Sequence, residues 1–208
     1  MYGLRAHHSG ERKFMSGQLL AVLASIDAAN NEDPHRVQVA GRSVAGELLY
    51  GQRMTGWLSR LEPEASEALQ IAARGQHVRR WKIPRSDYPL DRAGYLKWRT
   101  TLYRFHADQV EPMMRAEDYP DSDIQRVRGL IEKRGIKTNP ETQTLEDVIC
   151  LVFLEFYFDD FRGRHERSKV VDIVRKTWGK MSERGQGFAL GLPLDSDALA
   201  IVQEALGI

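Results

Sequence analysis

The sequence predicts an all-α fold, and three observations support this prediction. Apolar residues recur at three- and four-residue steps in successive segments, which is the period of an amphipathic helix. No segment sustains a two-residue alternation bounded by hairpin turn residues. No period of about 20–50 residues repeats along the chain, which argues against a solenoid or propeller. We therefore expect about seven to nine helices packed into one globular domain.

The helix boundaries follow from capping residues and prolines. Ser43, Asp91 and Thr144 are plausible N-caps, and Pro112 should kink or divide the long helix in which it lies. Residues 31–42, which contain Gly41, are predicted to form a loop. We predict helices over the following segments: 14–30, 43–61, 63–81, 91–118, 120–134, 144–161, 167–181 and 195–206.

Composition is that of an ordinary soluble protein. The chain has 208 residues, of which 42% are hydrophobic and 28% are charged. Residues 1–13 lack periodicity and are predicted to be a flexible lead-in, and residues 14–208 are predicted to form a single all-helical domain. No apolar run is long enough to span a bilayer, and the single Cys150 rules out an internal disulfide. We expect a cytoplasmic location without membrane association.

The segment 74–104 concentrates positive charge. It holds nine Lys or Arg residues against two acids, a local charge of +7 in a chain whose net charge is +1, and five Trp or Tyr residues are interleaved. Guanidinium groups match phosphate and carboxylate oxygens and stack on flat rings. The segment therefore predicts a site for a small anionic or phosphorylated ligand, with only two or three arginines facing it. The candidate substrate-binding residues are Arg79, Arg80, Arg85, Arg92 and Arg99.

Acids embedded in the most apolar predicted helix are a second candidate feature. Asp147 and Glu155 lie two turns apart, on the same side as aliphatic neighbours. A buried carboxylate is costly unless it is paired, hydrogen-bonded or bound to a metal. Glu155 could act as a catalytic base, and a salt bridge to an arginine of segment 74–104 is the alternative for either acid. Asp147 could also simply favour the start of its helix.

Histidines and carboxylates together suggest a metal site. His77, His106 and Asp147, with Glu47 as a further ligand, would suit a divalent Mn, Fe or Zn ion. The spacing alone is a weak signal, because the chain contains no HExxH motif. A lone helical histidine is more often a hydrogen-bonded structural residue, and Glu47 could equally be a capping or surface acid.

The pentapeptide KMSER at residues 180–184 is similar to a signature of class I aminoacyl-tRNA synthetases. That class also needs a HIGH-type motif and a Rossmann sheet, and the chain offers neither. We interpret the match as chance.

Several longer motifs carry a family resemblance. They include ELLYGQRMTGWL (47–58), the stretch 65–107, KTNPETQTLEDVICLVFLEFYFDDF (137–161) and VRKTWGKMS (174–182). On these motifs the chain resembles the domain-of-unknown-function family 4202, from about residue 14 to residue 206. The family name implies no activity.

A more distant similarity is to the HD phosphohydrolase superfamily, whose members are all-helical and bind metal through His and Asp. That likeness implies an HD-like helical bundle in which His77 stands in the His-Asp helix and Asp147 at the final metal-binding Asp. The chain departs from the pattern, because Val78 follows His77 and ELLYGQRM lacks the early histidine.

We therefore expect a metal-dependent phosphohydrolase of degenerate HD type that acts on a small phosphorylated or anionic substrate. The alternative is a non-catalytic module that binds an anion or RNA through segment 74–104, where stacking on aromatics would be accompanied by steep salt dependence. We favour a small ligand over nucleic acid because the net charge is near zero. A di-iron oxidase is a third alternative, but the Glu-x-x-His pairs typical of such bundles are missing.

Overall fold

The computed structural model describes residues 15–136 and 138–207, so the predicted lead-in over residues 1–13 lies outside the described residues. The described part of the chain contains ten α-helices and one two-stranded hairpin, which confirms the predicted all-α class. None of the described helices is both long and apolar enough to cross a membrane. The helices are α1 (Gly17–Asn31), α2 (Gly46–Leu61), α3 (Glu67–Gly75), α4 (Arg92–Ala116), α5 (Asp121–Ile131), α6 (Pro140–Phe156), α7 (Phe158–Arg162), α8 (Arg167–Trp178), α9 (Glu183–Leu190) and α10 (Ser196–Leu206).

Some predicted helix boundaries are confirmed and others are wrong. Asp91 caps α4 by accepting a hydrogen bond from the backbone N–H of Gly94. α4 runs uninterrupted past Pro112, so the proline does not divide it. The predicted cap Thr144 lies inside α6, because Asn139 accepts hydrogen bonds from the first turn of that helix instead. Two short helices raise the number of helices above the expected range: α7, set off from α6 at Tyr157, and α9, which was not predicted.

The predicted loop over residues 31–42 is wrong in its second half. β1 (Arg36–Val39) pairs antiparallel with β2 (Arg42–Ala45), and the predicted cap Ser43 lies in β2. Ala40 and Gly41 form the two-residue turn, both with positive φ (49° and 77°), the conformation that suits a tight hairpin. The strands have four residues each and are largely exposed, so they carry no hydrophobic alternation.

The hydrophobic core has two parts. The larger is formed mainly by α1–α6, with Trp57 and Met54 of α2 among its fully buried side chains. The smaller is formed by α7, α8 and α10 around Phe158. Phe153 of α6 packs against both parts. The positively charged segment 74–104 runs across the larger part, from the end of α3 into α4, and this position places it beside the candidate site.

Candidate functional site

The candidate site is a cavity of about 200 Å³ between the helices of the larger core. It opens into a wider groove of about 1480 Å³, which extends to the hairpin and to α8. The cavity is lined mainly by cationic and aromatic side chains and by two histidines. Its lining residues are Tyr50, Gln76, His77, Arg80, Tyr95, Trp98, Arg99, Leu102, Tyr103, His106, Lys133, Ile149 and Lys180.

A histidine and a glutamate form a half-buried pair at the junction of the cavity and the groove. His77 Nδ1 lies 3.2 Å from Glu47 Oε2, and the ring of Tyr50 stacks on the His77 ring at 3.8 Å between centroids. Burial raises the pKa of Glu47 to about 7, although the nearby Arg80 opposes this shift. Burial, assisted by the charges of Arg80 and Lys133, holds the pKa of His77 well below its ordinary value. The pair therefore combines a neutral imidazole with a carboxyl group that titrates near neutrality.

Local structure fixes the position of this pair. Asp33 Oδ2 accepts a hydrogen bond from the backbone N–H of Glu47 at 2.9 Å, and so caps the start of α2 from a distant part of the chain. His77 lies in the turn that follows α3. That turn is held by Asn30, whose Oδ1 accepts from the backbone N–H of Arg79 at 3.0 Å. Arg79 itself adopts a left-handed backbone conformation with φ 52°.

The second histidine, His106, is a neutral acceptor at the back of the cavity. Its Nδ1 donates a hydrogen bond to the carbonyl oxygen of Val78 at 2.9 Å. Burial, together with the neighbouring His77, lowers the pKa of His106 to about 3. Because Nδ1 carries the proton, Nε2 keeps its lone pair. This buried Nε2 has no hydrogen-bond partner within the described residues.

Four cationic side chains face the cavity against few acids. Lys133 pairs with the buried Glu146, and Lys180 Nζ lies 3.8 Å from the same carboxylate. Although burial raises the pKa of Glu146, Lys133 and Lys180 lower it below its ordinary value. Arg80 is only loosely paired, because its Nη1 lies 3.9 Å from Glu47 Oε1. Arg99 bonds the Tyr103 hydroxyl and makes no ion pair in the described part of the chain. The cavity wall is therefore net positive.

The predicted substrate-binding arginines divide into three groups. Arg80 and Arg99 line the cavity itself, and Arg85 and Arg92 line the wider groove. Arg79 lines neither, because its guanidinium donates to Glu32 Oε1 and Gln109 Oε1 at 3.0 and 3.2 Å. Two of the five candidate arginines therefore line the cavity, and their contact with a ligand stays a prediction.

Asp147 lies apart from the histidines. Its Oδ1 accepts from the backbone N–H of Ser182 at 2.8 Å and from Gln143 Nε2 at 3.0 Å, and its Oδ2 accepts from the Ser182 hydroxyl. The carboxylate thus anchors the start of α9. A Cβ at Gly185 would lie 2.7 Å from Asp147 Cγ, so the helix approaches closely. We interpret Asp147 as a structural residue that holds the loop containing Lys180.

We expect Asp147→Ala to lower the free energy of unfolding by about 3 kcal/mol, because buried donors lose their acceptor. Urea denaturation of the wild type and the variant measures this difference. Asp147→Asn, which keeps one carbonyl acceptor, should cost less than the alanine variant. Equal stability of all three proteins would contradict the structural role.

Glu155, predicted to be either a catalytic base or a salt-bridge partner, also lies outside the cavity. Its Oε2 accepts from Trp57 Nε1 at 2.5 Å and lies 3.7 Å from Arg60. The residue lines neither the cavity nor the groove. Glu155 therefore lies beside an arginine, as the salt-bridge alternative expected, but that arginine is Arg60 of α2 and does not belong to segment 74–104.

The predicted metal ligands come together only in part. His77, His106 and Glu47 are neighbours, with 5.9 Å between the two imidazole centroids, whereas Asp147 is engaged elsewhere. Over residues 15–136 and 138–207, no three His, Cys, Asp or Glu side chains form a group that could hold a metal ion. The donor set described here therefore does not fit the four-ligand prediction. Metal binding stays a prediction for direct measurement.

Several cavity residues escaped the sequence analysis. Lys133 and Lys180 lie at helix ends far along the chain from segment 74–104, so no local pattern joins them to it. Glu146, which lines the groove and pairs with Lys133, could have been found from the sequence. It shares a helix face at three- and four-residue steps with Ile149 and Phe153, which also line the groove. Gln76 carried no signal beyond standing next to His77.

The fold and the cavity define the class: an all-α protein that encloses a small, positively charged cavity with two histidines in its wall. A family model described as domain of unknown function (DUF4202) matches residues 20–202, so the chain belongs to that family. This match confirms the family resemblance. No curated protein and no solved structure matches the chain significantly. The more distant similarity to the HD superfamily stays a prediction.

Proposed function

We propose that the protein binds a small phosphorylated molecule in the cavity and hydrolyses its phosphate ester. The observation that carries this proposal is the convergence of four cations and two histidines on one cavity. Arg80 also has a buried Nε without a hydrogen-bond partner in the described residues, and its guanidinium is only loosely paired, at 3.9 Å from Glu47 Oε1. Charge-assisted hydrogen bonds from Arg and Lys are the usual means of holding phosphate oxygens.

The His77–Glu47 pair supplies the acid–base chemistry. When Glu47 is ionised, His77 Nδ1–H donates to it, and Nε2 is free to take a proton from water. The water oxygen attacks phosphorus as His77 takes the proton. The ester bond between phosphorus and the alcohol oxygen breaks, and that oxygen leaves with the electron pair and receives the proton from His77. Arg99 and Lys133 stabilise the charge on the phosphoryl oxygens.

The experiment is a comparison of wild type with Glu47→Gln on phosphate monoesters, including phenyl phosphate and glycerol 3-phosphate. We expect Glu47→Gln to lower turnover about 10²- to 10³-fold, because His77 loses the carboxylate that orients and supports it. Binding of inorganic phosphate should be kept or tightened, since one negative charge near the cavity is removed. Wild-type activity should increase as the pH rises through about 7, where Glu47 ionises.

Equal turnover in both proteins would contradict the assigned roles. Saturable phosphate binding without hydrolysis of any ester would favour the alternative, a non-catalytic anion-binding module. RNA is the less favoured ligand for such a module, because Trp98 is buried and its Nε1–H donates to the Ile83 carbonyl at 2.9 Å. A buried ring does not offer its face to a base.

The metal-dependent form of the hydrolase is tested separately. Elemental analysis of untagged wild type and His77→Ala would establish a Mn, Fe or Zn site if near-stoichiometric metal were lost in the variant. The water-based mechanism above uses no metal, so metal in the wild type would require its revision. We infer a cytoplasmic location for this activity, since the only cysteine, Cys150, is buried and the chain can form no internal disulfide.

A further inference from the structure

Two buried acceptor atoms belong to residues that line a cavity whose other polar groups are mostly donors. Gln76 and His106 are 2% and 1% exposed, and both line the cavity. Neither Gln76 Oε1 nor His106 Nε2 has a hydrogen-bond partner in the part of the chain that the structure describes. An unpaired buried acceptor costs about 1–3 kcal/mol, so two in one cavity wall are unfavourable unless a water molecule or a ligand donates to them.

Both atoms act as acceptors for independent reasons. His106 Nδ1–H donates to Val78, which leaves only the lone pair at Nε2. His77, whose ring centroid is 5.9 Å from that of His106, and the cation of Arg80 both disfavour a protonated His106. Gln76 Oε1 is a carbonyl oxygen and can only accept. A phosphate dianion carries no proton to donate, so the phosphoryl group alone would leave these atoms unpaired.

The donor on the ligand must be uncharged. An ammonium group would be repelled by Arg80, Arg99, Lys133 and Lys180, which surround the same space. A hydroxyl group donates one hydrogen bond without adding positive charge. We propose that the ligand is a phosphate monoester of a polyhydroxylated carbon chain or ring, with hydroxyl groups that donate to Gln76 Oε1 and His106 Nε2. This inference rests on the proposed phosphate-binding function.

The volume of the cavity is compatible with such a ligand. At about 30 Å³ for each water molecule in the liquid, 200 Å³ corresponds to about six or seven waters. That space holds a phosphate group and a few hydroxylated carbons. Larger parts of the ligand would extend into the groove.

The test uses two phosphate esters of equal chain length, glycerol 3-phosphate and propyl phosphate, which differ only in two hydroxyl groups. Calorimetric titration is carried out in the Glu47→Gln background, in which hydrolysis is slow, and this parent protein should give a dissociation constant about tenfold lower for glycerol 3-phosphate. Gln76→Met, which keeps the side-chain length and removes the acceptor, should reduce this preference to about threefold or less. Its affinity for propyl phosphate should be unchanged.

A purely structural role for Gln76 would predict that Gln76→Met lowers the melting temperature, and the proposal predicts that it does not. Since Gln76 Oε1 has no partner among the described residues, Gln76→Met should melt at the wild-type temperature or above it. The exposed Gln203→Met of α10 is the matched control and should keep the full preference.

Equal affinity of the Glu47→Gln parent protein for both esters would overturn the inference and leave phosphate binding intact. A full tenfold preference retained in Gln76→Met would overturn the role of Gln76. Failure of both esters and of inorganic phosphate to bind would overturn the proposed function itself.

Discussion

Replacing Arg80 and Arg99 together by glutamine is expected to weaken the binding of inorganic phosphate at least about 100-fold. Both side chains line the cavity, and hydrogen bonds to charged groups each contribute about 1.5–3 kcal/mol. Isothermal titration calorimetry at low and moderate salt measures the change. The double variant should fold normally, because neither arginine forms a close ion pair in the described residues.

The control for this experiment is Arg79→Gln combined with Arg104→Gln. It removes the same charge from the same segment, but Arg79 lies outside the cavity and Arg104 is exposed on α4. We expect it to change phosphate affinity by less than about threefold, since the charge of Arg79 is paired with Glu32 and the exposed charge of Arg104 is screened by salt. An equal loss in both double variants would mean that the overall charge of the segment, and not the cavity, governs binding.

Glu47→Gln is expected to change the pH dependence of stability by up to about 3 kcal/mol. Folding raises the pKa of Glu47 from 4.5 to about 7, so the native state binds more protons than the unfolded state between these values. The free energy of unfolding of the wild type therefore falls, relative to that of the variant, as the pH rises through this range. The contribution is complete below about pH 4.5 and is lost above about pH 7.

Urea denaturation of both proteins at pH 5 and pH 8 measures this effect as the change, between the two pH values, in the difference between their free energies of unfolding. The charged and titratable groups around Glu47, which include His77, Arg80, Asp33, His106 and His35, are present in both proteins. The lowered pKa of His106 produces the opposite trend below about pH 6.5, and it too is common to both. A stability difference that does not change with pH would contradict a raised pKa at Glu47.

The helical part of the fold was predictable because it depends on local signals. The three- and four-residue spacing in α1 and α6 and the cap at Asp91 are written in adjacent residues. The hairpin was missed because its short, exposed strands carry no alternation. The start of α2 was misplaced because its N-terminal N–H groups are bonded by Asp33 and His35, which lie more than ten residues before the helix.

The site was predictable only where its residues are concentrated in one segment. The charge of segment 74–104 suggested Arg80 and Arg99, and the histidine pattern suggested His77 and His106; all four line the cavity, and their roles stay predictions. Asp147 and Glu155 lie outside the cavity, because a carboxylate in a helix has the same sequence signal whether it binds Ser182 or Trp57 or faces a cavity. Only tertiary packing distinguishes these cases. Lys133 and Lys180 were not predicted for the same reason, because they follow other helices and only tertiary packing brings them to the cavity.

The most direct test of the central claim is a phosphate titration of the wild type followed by NMR of its ¹⁵N-labelled histidine side chains. We predict saturable shifts of His77 and His106, with His106 protonated only at Nδ1 before phosphate is added. The exposed His35 and His165 serve as internal references and should not shift. Phosphate binding that leaves His77 and His106 unchanged, or no binding at all, would contradict the account.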